Sequence, residues 1–130
     1  LYRDTCESVE NFDPCGDFQR KVARLEIDHK ALEITEMRIL SSVSGGGTPG
    51  PESSILKLNT TRLEQEINQL SLDILGYRAL DMDPVEGGSP YRPDPVSAVL
   101  PRYLNNRAAS IFGGSQEVQR NIIAKMVLGL

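Results

Sequence analysis

A chain of 130 residues can build one domain around one core. Its composition, 39% hydrophobic and 25% charged, is that of an ordinary globular protein, and no stretch approaches the roughly 18 to 20 apolar residues of a bilayer span. A net charge of −4 argues against a nucleic-acid-binding domain, which would show a basic stripe. The charge is uneven. Asp4, Glu7, Glu10, Asp13 and Asp17 face only Arg3 at the start, whereas Arg102, Arg107, Arg120 and Lys125 face Glu117 near the end. The basic end permits a local anion site, although a few solvated side chains are the plainer reading. The chain opens on Leu1 with nothing like a secretory leader, and is expected to be a segment of a longer cytoplasmic protein. Cys6 and Cys15 fit no zinc spacing and no disulfide framework, so both are expected to be reduced thiols.

Residues 1–15 lack periodicity and are expected to be an acidic leader, the remnant of a preceding element, with one domain over 16–130. A first helix is predicted from Asp17, acting as N-cap, to Val43. Phe18, Val22, Leu25, Leu32, Ile39 and Val43 fall on one face, and Ala23, Ile27, Ile34 and Leu40 widen it. His29 and Glu36 lie on or beside this stripe. The run Ser44-Gly45-Gly46-Gly47-Thr48-Pro49-Gly50 stops the helix. Pro51 suits the first turn of a second helix, which buries Leu56, Leu63, Ile67, Leu70 and Ile74 and ends at Gly76. Ile55, Leu58, Leu72 and Leu75 add breadth to its apolar face. Residues 77–95 form a long loop rich in Pro, Gly and Asp. Asp81 and Asp83, two carboxylates with no further ligand pattern, do not make a metal site. A third helix is predicted over Val96 to Phe112, with Pro101 in its first turn or at a kink. A fourth follows from Ser115 to Gly129, with Val118, Ile122, Met126 and Val127 facing inward. No strand-like alternation occurs, so the predicted class is all-α, a helical bundle.

The break at Gly113-Gly114 is the most informative feature. Two glycines let the backbone turn sharply and leave the first N–H groups of the next helix pointing outward. Those donors and the helix dipole favour negative charge. Ser115 adds a capping hydroxyl and Glu117 a carboxylate in the first turn. A plain corner between two helices, capped by Ser115, remains the simpler alternative on spacing alone.

The segment IFGGSQEVQRNIIAKMVLGL resembles the C-terminal motif of the flavin-dependent acyl-CoA dehydrogenases, where an Ile-Tyr-Glu-Gly-Thr run precedes Gln-Arg and an aliphatic helix. LEIDHKALEITEMR and PESSILKLNTTRLEQEINQLSLDILG resemble two long helices of the same C-terminal four-helix bundle, and the likeness spans residues 16–130. The resemblance implies an enzyme that oxidises an acyl-CoA to the trans-2-enoyl-CoA. In that family a carboxylate removes the α-proton while the β-hydride passes to bound FAD. Electron-transfer flavoprotein or a similar acceptor then reoxidises the flavin. FAD lies along the bundle and touches a neighbouring subunit, which implies a homo- or hetero-oligomer. Carried over by position, Gly114, Ser115 and Glu117 match residues near FAD. Phe112 matches the aromatic beside the acyl chain, with ordinary core as its alternative, and Arg107 matches a basic residue of the preceding helix.

Gly113 departs from the pattern. It stands where many family members carry the catalytic glutamate, and glycine cannot take a proton. It is therefore assigned to substrate contact, and no catalytic residue is assigned in this chain. The base is expected from an earlier helix, from a catalytic partner in a mixed oligomer, or from another residue or water. Glu33 and Glu36 are weak candidates, because a solvated helix face or a pair with Lys30 or Arg38 accounts for them. The family's Arg-x-x-Phe-Gly stretch is not visible, the segment after the second helix reads LGYRALDM rather than a glycine-rich turn, and Asp73 stands near a position often held by glutamine. The isolated chain is expected to be inactive and to associate through an uncovered apolar face.

Overall fold

The computed structural model describes residues 16–48, 50–80 and 96–130. The acidic leader with Cys6 and Cys15, and Asp81 and Asp83 of the long loop, lie outside the described residues. Among the described residues four α-helices run in order: α1 (Gly16–Ser44), α2 (Glu52–Leu75), α3 (Val99–Asn106) and α4 (Gln116–Ile123). No described residue is in a strand, and the all-α class expected from periodicity holds. The chain divides into two compact units, Leu1–Val22 with Glu64–Arg107, and Ala23–Leu63 with Ala108–Leu130.

Helix α1 begins at Gly16, so Asp17 is its second residue rather than its N-cap. The predicted apolar face is half-buried at Phe18, Val22, Leu25, Leu32, Ile39 and Val43, while Ile27, Ile34 and Leu40 are exposed, as is Met37. His29 and Glu36 are also exposed. The helix closes through Gly45 N–H to the Ser41 carbonyl at 3.1 Å and Gly46 N–H to the Val43 carbonyl at 3.0 Å. Gly46 adopts φ 93°, in the left-handed region that glycine tolerates. A Cβ at Gly47 would stand 2.8 Å from the Ser42 carbonyl oxygen, so the turn also needs the missing side chain.

Helix α2 is entered through Pro51, whose carbonyl accepts from Ser54 N–H at 3.0 Å. Leu63, Leu70 and Ile74 are buried as predicted, and so is Leu75, while Leu56 and Ile67 are half-buried. The apolar periodicity missed a polar seam: Ser54, Thr61, Asn68 and Ser71 are buried too. Ser71 is almost fully enclosed, and its hydroxyl donates to the Ile67 carbonyl one turn earlier at 2.9 Å. Gly76, at φ 54°, ends the helix and starts a tighter 3-10 turn over Gly76–Leu80. Ala79 of that turn packs with Leu75, Val96 and Val99, with Leu72 against them.

Helix α3 is shorter than predicted, because Val96 to Ala98 form a turn and the helix starts at Val99. Pro101 is therefore its third residue, where the missing N–H removes a donor that would have no intrahelical partner. A 3-10 turn over Arg107–Ser110 follows. Helix α4 widens into a π turn over Ala124–Leu128, which Gly129 closes at φ 69°. Of the residues expected to face inward, Ile122 is half-buried, while Val118, Met126 and Val127 are exposed. The amphipathic spacing is present, but among the described residues nothing covers Val118, Met126 or Val127.

Candidate functional site

The 3-10 turn after α3 ends two residues before Phe112. Ile111 and Phe112 both donate their N–H groups to the Ala108 carbonyl, at 2.9 and 3.0 Å, so helical progress stops there. Ala109 is buried, and its carbonyl accepts instead from Lys57 Nζ of α2 at 2.6 Å. Gly113 and Gly114 then take φ 67° and 94°. A side chain at 113 would meet no atom within 4 Å, whereas one at 114 would run into the Gln119 amide nitrogen. The sequence placed the break correctly: only glycine adopts two consecutive positive φ values without strain.

Ser115 is the N-cap of α4, with extended dihedrals (φ −62°, ψ 158°) and a hydroxyl that accepts from Val118 N–H at 3.4 Å. The Glu117 carboxylate is held below the usual carboxylate range. The largest cause is its own backbone N–H, followed by the Ser115 hydroxyl, with the Arg120 charge contributing less. Sequence reasoning expected the first N–H groups of this helix to point outward unpaired. One of these donors, Val118 N–H, is instead engaged by the chain's own Ser115. The Glu117 carboxylate adds a negative charge in the first turn, which suits an uncharged ligand edge better than a phosphate.

The structure therefore gathers Phe112, Gly113, Gly114, Ser115 and Glu117 into one open corner. Phe112 is exposed at 59%, so it is not core in this chain, and Ile111 beside it is exposed at 71%. Arg107 stacks over the Tyr103 ring with its guanidinium carbon 4.2 Å from the centroid, a cation–π contact. Glu33 and Glu36 lie on α1, away from these residues in sequence, and Glu36 is exposed. Glu33 pairs with Lys30 at 2.8 Å, and that hydrogen bond is the main cause of its lowered pKa. Asp73 accepts from Gln69 at 2.9 Å. No group at the corner itself stands where Gly113 lacks a side chain, and among the described residues no three potential metal-binding side chains converge.

Sequence reasoning missed two residues that touch the corner. Lys57 holds the Ala109 carbonyl, and Gln119 Nε2 reaches back to the Gly113 carbonyl at 3.4 Å. The sequence carried no signal for Lys57. It falls three residues after Ser54 and four before Thr61, polar residues whose burial only the fold reveals. Gln119 is part of the quoted Gln-Arg motif, but spacing alone assigned it no role.

Comparison with known proteins places this geometry in context. The family model described as "Acyl-CoA dehydrogenase, C-terminal domain" matches residues 14–128. The chain is 35% identical over 82 residues to the acyl-CoA dehydrogenase IpdE1 of Mycolicibacterium smegmatis, covering 63% of this chain and 18% of that protein. It is 33% identical over 92 residues to IpdE1 of Mycobacterium tuberculosis, covering 70% and 22%. Its fold is similar to a chain in the crystal structure of the ChsE4–ChsE5 complex from Mycobacterium tuberculosis. That match has a TM-score of 0.71 and 26% identity over 99% of this chain and 34% of the other. The chain spans about a fifth of these curated relatives and a third of the structural one.

Proposed function

This chain belongs to the acyl-CoA dehydrogenase family as its C-terminal domain, and we propose from that premise that it forms one wall of a flavin site and part of an oligomer interface. The full-length protein would oxidise an acyl-CoA thioester to its trans-2-enoyl product. The observation that carries this reading is the corner at Gly113–Ser115, which lies inside the matched region and leaves the space beside Gly113 open. The residues present fit FAD. Gly113 leaves open space for close approach of a planar ring, Gly114 beside it has no side chain although the Gln119 amide takes that side, and the Ser115 hydroxyl and Glu117 lie at the start of α4. The self-capped helix end favours the uncharged ring system over the pyrophosphate. When bound, FAD would accept the hydride from the β-carbon. Phe112 would stand beside the acyl chain, and Gly113 would leave room for it. The proton must go to a group outside residue 113, since no side chain stands there.

A second reading is favoured by the same vacancy together with the likeness to a chain of a two-protein complex. In it the domain belongs to a non-catalytic subunit, and the base comes from a partner chain that carries glutamate at the corresponding position. Exposed Ile27, Ile34, Met37 and Leu40 on α1 supply an apolar face for assembly in either case.

The test is the purified full-length protein, examined for flavin absorbance and for dye-linked oxidation of a panel of acyl-CoA esters. A yellow protein that turns over alone supports the enzyme reading. A protein active only with an added paralogue supports the second. A colourless, inert protein under both conditions overturns both. The 130-residue chain alone is expected to be inactive, and turnover by it would contradict a base outside this chain.

A further inference from the structure

Resting on the reading of the double-glycine corner as the flavin- and substrate-facing part of the domain, we propose that Lys57 is the positioning residue that sets this corner, with Gln119 as its counterpart on the exit side. Breaking a helix releases carbonyls. In an uninterrupted helix the Ala109 carbonyl would accept from the N–H of residue 113, four positions on. The chain instead turns at 111–114, with both Ile111 and Phe112 bonded to the Ala108 carbonyl. The Ala109 carbonyl is left without a helical donor on a residue that is only 4% exposed. A buried acceptor in that state costs free energy unless another donor reaches it.

Lys57 is that donor. Its Nζ comes from α2, 52 positions away in sequence, and meets the carbonyl at 2.6 Å in a part-buried contact. A cation at the carbonyl end of a helical turn gains from the backbone dipole as well as from the charge-assisted hydrogen bond. The lysine therefore fixes where the chain enters the corner. On the other side Gln119, half-buried on α4, donates to the Gly113 carbonyl at 3.4 Å, and its amide fills the space a side chain at 114 would need. The carbonyls of residues 109 and 113 are thus met by side chains from two different helices. Ser115 and Glu117, immediately beyond, inherit their placement from this pair of ties.

The experiment compares the full-length protein, with its partner present if activity requires one, to Lys57→Met and Lys57→Arg. Methionine keeps the aliphatic stem and removes the donor, while arginine keeps a charged donor. The readouts are kcat and KM for an acyl-CoA measured separately, the flavin dissociation constant, and peptide-level amide exchange over residues 108–119. Lys57→Met is expected to lower kcat about tenfold or more with a smaller change in KM, because displacement of a reacting geometry by even ~1 Å is that costly. It should also weaken flavin binding and speed exchange over 108–119, with Lys57→Arg recovering much of each loss. A lower melting temperature with kcat, flavin affinity and exchange all at wild-type values would overturn the proposal and leave Lys57 as an anchor of the fold. If Lys57→Met does not fold, Lys57→Gln, a shorter neutral donor, is put through the same measurements with the same two outcomes. Should the wild-type protein prove colourless and inert, the functional reading fails separately. Exchange over 108–119 then still decides: unchanged rates overturn the lysine's hold on the corner, and faster rates support it.

Discussion

The two long helices, α1 with 29 residues and α2 with 24, stand in contrast. No described residue of α1 is buried, and Ile27 and Leu40 are 69% and 60% exposed. Helix α2 buries Leu63, Leu70, Ile74 and Leu75, and among its enclosed residues are four small polar ones, Ser54, Thr61, Asn68 and Ser71. Both helices carry apolar residues at helical spacing, so periodicity alone does not separate them. Their cover does. On α1 the exposed Ile27 and Ile34 each follow a half-buried leucine, Leu25 and Leu32, by two residues and so stand about 200° around the helix from it, on a second apolar side that the described residues leave open. On α2, small side chains let neighbouring backbone come close, and a satisfied hydroxyl such as that of Ser71 is tolerated inside. A helix whose apolar arc exceeds its own domain's need is a candidate for contact with another body.

Substitutions can break or sharpen that contrast. The largest effect is expected at Leu63 or Leu70, both 4% exposed. Truncation of either to alanine should cost about 2–5 kcal/mol in denaturant unfolding. Ile34→Ala, at a residue 50% exposed on α1, should cost well under half as much in the same chain. Equal losses at the two sites would erase the distinction.

Next in size is Gly114→Ala at the corner. With φ at 94°, alanine there should destabilise by about 1–2 kcal/mol, read from the same unfolding curves. A neutral result would mean the turn is free to take another conformation. Ser115→Ala removes the N-cap hydroxyl of α4 and should cost about 1 kcal/mol.

The smallest effect is electrostatic. The lowered pKa of Glu117 means that its contribution to stability is present above its unfolded pKa and is lost as pH falls through the depressed folded value. Its carboxyl carbon, followed by NMR, should titrate below the ordinary carboxylate range, and in Ser115→Ala it should move up toward that range. Because the group is fully exposed, the accompanying change in stability should be slight.

How much was legible beforehand follows from the same physics. The all-α class, the glycine stop after α1, the cap at Ser115 and the break at Gly113-Gly114 were readable because each depends on local backbone preference. The polar seam of α2 was not, since Thr61 and Asn68 look like surface residues until neighbours enclose them. The expected inward face of α4 misled, because an apolar stripe reports a need for cover and not who supplies it. At the corner, the glycine break and the Ser115 cap were legible, but the state of the helix end was not. Spacing shows an N-terminus, while the electrostatic setting of its Glu117 carboxylate depends on side-chain geometry. Lys57 was missed for a related reason, since its partner lies 52 residues away.

The most direct test of the whole account is the crystal structure of the full-length protein purified with FAD. The account predicts the flavin ring against Gly114, within hydrogen-bonding reach of the Ser115 hydroxyl, and open space for substrate above Gly113. A corner filled by side chains of the protein's own remaining segments, with the flavin elsewhere, would contradict it.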